Sequence, residues 1–281
     1  MIGASAPVRT VPVTLIGGAR RRRRVDLAEL WAYRELLYFL VWRDAKVRYR
    51  QTVLGAAWAL LQPAMTMVVF DVFFGRLARM PSDGVSYKLF ALTALVPWTY
   101  FATALGSGAQ SLVGQQHLIA KVYFPRLLMP LAAVITPLVD FAIAFVFLLL
   151  MLVAGGVTPG AGVVVLPLYA GLAVLTALTA SVWMAALNVE YRDVRFVLPF
   201  AVQFWMFATP VAYPASLVPP GWRAVYGLNP MATVVEGFRA ALLGTPGPSG
   251  MLLPSIVVLI VALALGLAYF RRVEGTFADV I

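Results

Sequence analysis

The sequence predicts an all-α integral membrane protein: six transmembrane helices, an interfacial amphipathic helix ahead of them, and re-entrant helices on the outer face between the fifth and sixth spans. Three observations predict it. Of 281 residues, 62% are apolar and only 12% charged, against about 25% charged in an ordinary soluble domain, so the chain cannot coat a globule of its size with polar surface. Six apolar stretches, at about 53–75, 89–113, 127–153, 163–187, 196–213 and 251–270, approach or exceed the roughly 20 residues that a hydrocarbon core demands. With the N-terminus placed in the cytoplasm, the inside segments hold 17 of the 22 lysines and arginines, the asymmetry expected from the positive-inside rule.

Residues 1–26 read as a mobile basic tail. Its five consecutive arginines, Arg20–Arg24, suit cytoplasmic retention and anionic-lipid contact better than nucleic acid. The weakly apolar Val11–Ile16 precedes those arginines, the reverse of a secretory leader, so no cleavage is expected. Residues 27–50 form the interfacial helix. The rings of Trp31, Tyr33, Tyr38, Trp42 and Tyr49 have the polar edges enriched at headgroup depth, and Arg43, Lys46, Arg48 and Arg50 can reach lipid phosphates. Its apolar core, Leu36–Trp42, is too short to cross, so this helix lies on the membrane before the chain enters it.

Residues 51–281 then make the six-span domain. In the inside-facing segment between the second and third spans, residues 115–124 carry Leu118, Ile119, Val122 and Phe124 beside Gln115, Gln116, His117, Lys121 and Tyr123. Such a mixed surface projecting into the cytosol fits a protein partner. The segment 210–250 is rich in proline yet too apolar for a free loop. Within it Met231, Val234, Val235, Phe238, Ala241 and Leu242 recur at helical spacing, with Asn229 as cap and Pro230 in the first turn. That helix stops at Gly244, too soon for a crossing, and the segment 214–244 reads as re-entrant on the outer face, carrying Asn229, Glu236 and Arg239. Two carboxylates fall in the spans: Asp71 belongs at the outer edge, and Asp140 in a hydrogen-bonded structural position.

The chain contains no cysteine and a single histidine, His117, which leaves no histidine- or thiolate-based metal site and no Ser-His-Asp set. It has no GxxxxGK[ST] phosphate loop and no HExxH, so it cannot use ATP by itself. A passive channel, an ion-driven carrier, a membrane enzyme, or the membrane half of a machine driven by another chain all remain open on these grounds.

Five stretches in order carry a resemblance: VWRDAKVRYRQTVLGAAWALLQP (Val41–Pro63), AKVYFPRLLMP (Ala120–Pro130), NVEYRDVRFVLPFAVQFWMFATPVAYP (Asn188–Pro214), LNPMATVVEGFRAALLG (Leu228–Gly244) and FRRVEGTFADVI (Phe270–Ile281). From residue 27 onward the chain resembles the permeases of polysaccharide-exporting ABC transporters, which move O-antigen, teichoic acid, capsule or galactan chains. The resemblance implies a non-enzymatic, channel-forming homodimer in the bacterial cytoplasmic membrane with both termini cytoplasmic. It also implies a separate ATPase subunit in two copies, which binds ATP and Mg, and a glycan substrate on a polyprenyl diphosphate. By that likeness residues 115–124 couple to the ATPase, and Arg43, Lys46, Arg48 and Arg50 meet the lipid diphosphate. Trp98, Tyr100, Phe101, Phe204, Trp205 and Phe207 are the candidates to line the channel, since a sugar polymer slides over aromatic faces. The rival readings are an ABC exporter of a drug or small lipid, and an enzyme acting on polyprenyl phosphates.

Overall fold

A computed structural model describes residues 27–50, 55, 57–158 and 160–277. The expected basic tail, residues 1–26, lies outside them. Among the described residues all regular structure is helical and there is no strand. In chain order the helices are α1 (Leu27–Ala32), α2 (Arg34–Arg50), α3 (Ala57–Phe70), α4 (Tyr87–Gln110), α5 (Gln116–Lys121), α6 (Leu128–Ile135), α7 (Leu138–Ala154), α8 (Leu166–Glu190), α9 (Val194–Phe207), α10 (Arg223–Tyr226), α11 (Pro230–Leu243) and α12 (Leu252–Val273).

Five rods are long and apolar enough to cross a membrane: Ala57–Leu77, Tyr87–Gln110, Leu128–Ala154, Ala161–Glu190 and Leu252–Val273. The protein is therefore a multi-pass membrane protein. The first rod finishes in wider π-helical turns over Asp71–Leu77, where Asp71 pairs with Arg76 at 3.2 Å. The third is interrupted between α6 and α7 at Thr136 and Pro137. Pro137 has no N–H to continue the ladder. The predicted span at 196–213 is shorter than expected, because α9 has 14 residues, about 21 Å of helix. Pro210 disfavours helical geometry in the residue before it, and α9 ends at Phe207.

α4 is the hub. It is buried along most of its length, packed by α8 on one side and by α3, α7 and α11 on the others. Close approach to α8 depends on Gly108, where a Cβ would stand 2.2 Å from Ser181 Oγ, the small-residue contact typical of helices packed in lipid.

Two clusters of side chains fix the ends. At one end Leu40 of α2, Leu112, Ile119 of α5, Phe124, Val189 at the end of α8, and Phe270 and Phe277 pack together. α2, α5 and the C-terminal end of α12 thus share one end of the bundle. At the other end the Tyr87 hydroxyl donates to the Ala212 carbonyl at 2.7 Å, and the Ser216 hydroxyl bonds Asp83 at 2.9 Å. α9 starts beside the end of α8, and its last turn reaches the middle of α4, where Trp205 meets Phe101 at 4.8 Å.

Candidate functional site

The end of α2 divides its cations. At 100° per residue, Arg43, Lys46 and Arg50 fall on one face of the helix and Arg48 on the opposite one. Arg43 is held by its neighbour, Nε and Nη2 donating to Asp44 Oδ1 at 3.0 and 2.9 Å. The Lys46 ammonium stands 4.6 Å from the centre of the Trp42 ring, and Arg50 is exposed. Arg48 turns inward to form an ion pair with Asp140 of α7, whose other carboxylate oxygen accepts a hydrogen bond from the Tyr49 hydroxyl. Burial first, and then the bond to Asp140, push the Tyr49 hydroxyl up to about 12. It therefore remains a protonated donor at neutral pH.

Arg48 stands between two clefts. One, of about 280 Å³, lies between α3, α4 and α7 and is walled by Trp58, Gln62, Thr99, Thr103 and Asp140 among others. The second, of about 360 Å³, is bordered by Asp44, Ser107, Gln110, Gln115 and Thr136. Arg48 borders both. The α4 wall of the two clefts is uncharged and rich in hydroxyl and amide groups. Sequence reasoning missed Thr99, Thr103, Ser107 and Gln110. The available signal was their spacing of four, four and three in an otherwise apolar and aromatic half-helix.

The predicted aromatic set separates. Trp98 and Phe101 are packed in the core, their rings 5.4 Å apart and tilted by 51°, with Phe101 edge-on to Trp205 at 4.8 Å. Tyr100 is buried too, its hydroxyl donating to the Val134 carbonyl at 3.2 Å, although its ring borders the first cleft. Phe204 and Phe207 are exposed on α9 together with Phe196 and Phe200, one ladder at helical spacing. Trp205 faces the other way, its Nε1 donating to Asn229 Oδ1 at 2.9 Å.

Of the predicted partner-facing residues, Gln116, His117 and Lys121 of α5 are exposed, Gln115 and Leu118 half-buried, and Ile119 buried as the anchor of the segment. Tyr123 is 81% exposed.

The Asn229–Arg239 group is tied inward. Asn229 caps α11, its Oδ1 accepting from the Met231 N–H at 3.1 Å, and its Nδ2 donates to Thr209 Oγ1 at 2.9 Å and to the Ala208 carbonyl at 3.2 Å. Arg239 has 0% exposure. Its Nη1 donates to Glu236 Oε1 at 2.9 Å and to the Pro210 carbonyl at 2.6 Å, and its Nη2 to the Val211 carbonyl at 2.8 Å. Among the described residues no group of three or more His, Asp and Glu side chains could hold a metal ion.

Residues 35–243 match the membrane domain of the ABC-2 type transporters. The O-antigen export system permease protein RfbA of Myxococcus xanthus is 32% identical over 214 residues, covering 75% of this chain and 82% of that protein. The protein of the same name from Klebsiella pneumoniae is 25% identical over 250 residues, 88% of this chain and 95% of the relative. The polysialic acid transport protein KpsM of Escherichia coli is 22% identical over 234 residues, 83% of this chain and 91% of the relative. Since the family match takes in the interfacial helix, the clefts beside Arg48 and the Asn229–Arg239 group alike, the chain belongs to the ABC-2 type transporter family.

Proposed function

We propose that this chain is the permease of an ATP-driven exporter of lipid-linked polysaccharide. Two copies enclose the translocation channel, and a separate ATPase subunit, also in two copies, binds ATP and magnesium and supplies the energy. The observation that carries this reading is the match to an O-antigen export permease along 95% of that protein's length.

The geometry supports it. The exposed side of α5 and Tyr123 lies at the same end as α2 and the end of α12, which suits a cytoplasmic docking face for the ATPase. α9 counts as the sixth crossing and leaves both termini cytoplasmic. α11, with its backbone covered by α4 and α8, is the kind of helix that can re-enter from the outer face without exposing polar backbone to lipid. The substrate is a glycan on a polyprenyl diphosphate. Arg43, Lys46 and Arg50 stay at headgroup depth to gather the anion, and Arg48 receives it by exchanging Asp140 for phosphate oxygens.

Copurification of the ATPase, and glycan export by the reconstituted pair, test this reading. The chain has no cysteine, so Tyr123→Cys gives one defined crosslinking site. A crosslink to the ATPase is expected. An ATPase that neither copurifies nor crosslinks, or reconstituted vesicles that hydrolyse ATP without moving glycan, overturns the reading.

A further inference from the structure

Threonines in apolar helices ordinarily hide their hydroxyls by bonding the carbonyl one turn back. This chain follows that rule at Thr66, Thr93, Thr136, Thr176, Thr179 and Thr209, each donating to the residue four before it at 2.7 to 2.9 Å. Thr99 and Thr103 break it. Neither they nor the side chains of Ser107 and Gln110 bond another group among the described residues, and each borders one of the two clefts that meet at Arg48. The four follow one another at i, i+4, i+8 and i+11, a single stripe about 16 Å long on α4. On a helix otherwise packed on nearly every side, this is the strip that stays open.

We propose that the stripe holds the first sugars of the glycan whose diphosphate sits on Arg48; this rests on the function proposed above. A hydroxyl or amide can both donate and accept, which matches the mixed donors and acceptors around a pyranose ring. The stripe carries no charge, and among the described residues the charged side chains bordering the two clefts are Arg48, Asp140 and Asp44, with Arg48 given to the diphosphate. The site therefore takes a neutral, hydroxyl-rich ligand in preference to a metal ion or a polyanion. Groups repeating about every helical turn offer near-equivalent successive positions, so a chain can advance without climbing out of a deep well.

The test uses the permease reconstituted with its ATPase. Thr99→Val, Thr103→Val and Ser107→Ala together remove three hydroxyls and keep the shape of the wall. Export of a polyprenyl-diphosphate oligosaccharide is expected to fall at least tenfold, while binding of polyprenyl diphosphate without sugar stays within twofold of the native protein. Thr103→Ser alone, which retains the hydroxyl, is expected to export at least threefold faster than Thr103→Val alone. Unchanged export by the triple variant overturns the assignment of the stripe and leaves the proposed function standing. Equal loss with Thr103→Ser and Thr103→Val assigns the effect to packing and overturns it as well. A native pair that binds neither ligand overturns the proposed function itself.

Discussion

Replacing Arg239 by methionine keeps most of the side chain's length and removes every donor. The native guanidinium donates to Glu236 and to the carbonyls of Pro210, Tyr213 and Val211 at 2.6 to 3.2 Å, reaches the Phe90 carbonyl at 3.4 Å, and lies 3.5 Å from the centre of the Phe90 ring. Breaking a buried pair from one side strands the other charge, which costs about 3–5 kcal/mol. Each buried carbonyl left without a donor adds up to roughly 1–3 kcal/mol, in part recovered by water as the 210–215 segment loosens. The stranded charge sets the floor, so Arg239→Met should lose at least about 3 kcal/mol. Combining it with Glu236→Gln removes that charge and should restore at least about 1 kcal/mol, a coupling expected of groups in one network. Arg239→Lys should fall between, because an ammonium cannot reach acceptors spread around a planar fork. Unfolding by SDS titration in bicelles, followed by tryptophan fluorescence, measures all of these. A loss below about 1 kcal/mol for Arg239→Met would refute the argument that this residue of α11 staples the 210–215 segment to α4.

Three further outcomes are expected. Asp140→Asn should change stability by less than about 1 kcal/mol, because the ion pair is 29% and 26% exposed on its two sides; by freeing Arg48 it should tighten binding of a polyprenyl diphosphate in a direct titration, and weaker binding would show that Asp140 orders Arg48 for the ligand. Tyr49 holds its proton more tightly folded than unfolded, so its contribution is intact below pH 10 and fades as pH rises toward about 12; the thermal midpoint of Tyr49→Phe should decline less over that interval, and parallel pH curves would remove the role of the hydroxyl. Gly108→Ala forces a methyl against Ser181 and should destabilise by about 1–3 kcal/mol, whereas Gly106→Ala, with nothing within 4 Å of its new methyl, should be neutral or slightly stabilising; equal thermal midpoints for the two variants would contradict the close α4–α8 packing.

The helical class, the multi-pass character and the position of α11 were legible in the sequence, because each rests on local pattern. Asn229, Pro230 and the apolar spacing after them specify a capped helix whatever surrounds it, and the cap bond to the Met231 N–H is present at 3.1 Å. The break at Thr136 and Pro137 was legible too, because a proline within an apolar run removes a helix hydrogen bond. Of the aromatic rings expected to meet a cleft, Tyr100 borders the first one, and the rest were not legible. Trp98 and Phe101 look like lining residues in a linear reading, yet α4 is wrapped on nearly every side, so its large side chains serve packing and its few hydroxyls mark the open strip. Periodicity finds a face when one side of a helix differs in polarity from the rest; where neighbours are as apolar as lipid, it cannot say which of them lies opposite. The partnership of Arg48 with Asp140 joins positions 92 apart in the chain and belongs to tertiary structure alone.

The brevity of α9 has a consequence for the membrane around it. Its 14 residues reach about 21 Å where a bilayer's oily layer measures about 30 Å. As the sixth crossing proposed above, α9 would require the lipid beside it to thin or water to dip toward its tips. A bulky polar cargo passing alongside α9 would therefore face a shorter greasy stretch than anywhere else on the protein, with a row of four phenylalanine rings along the way.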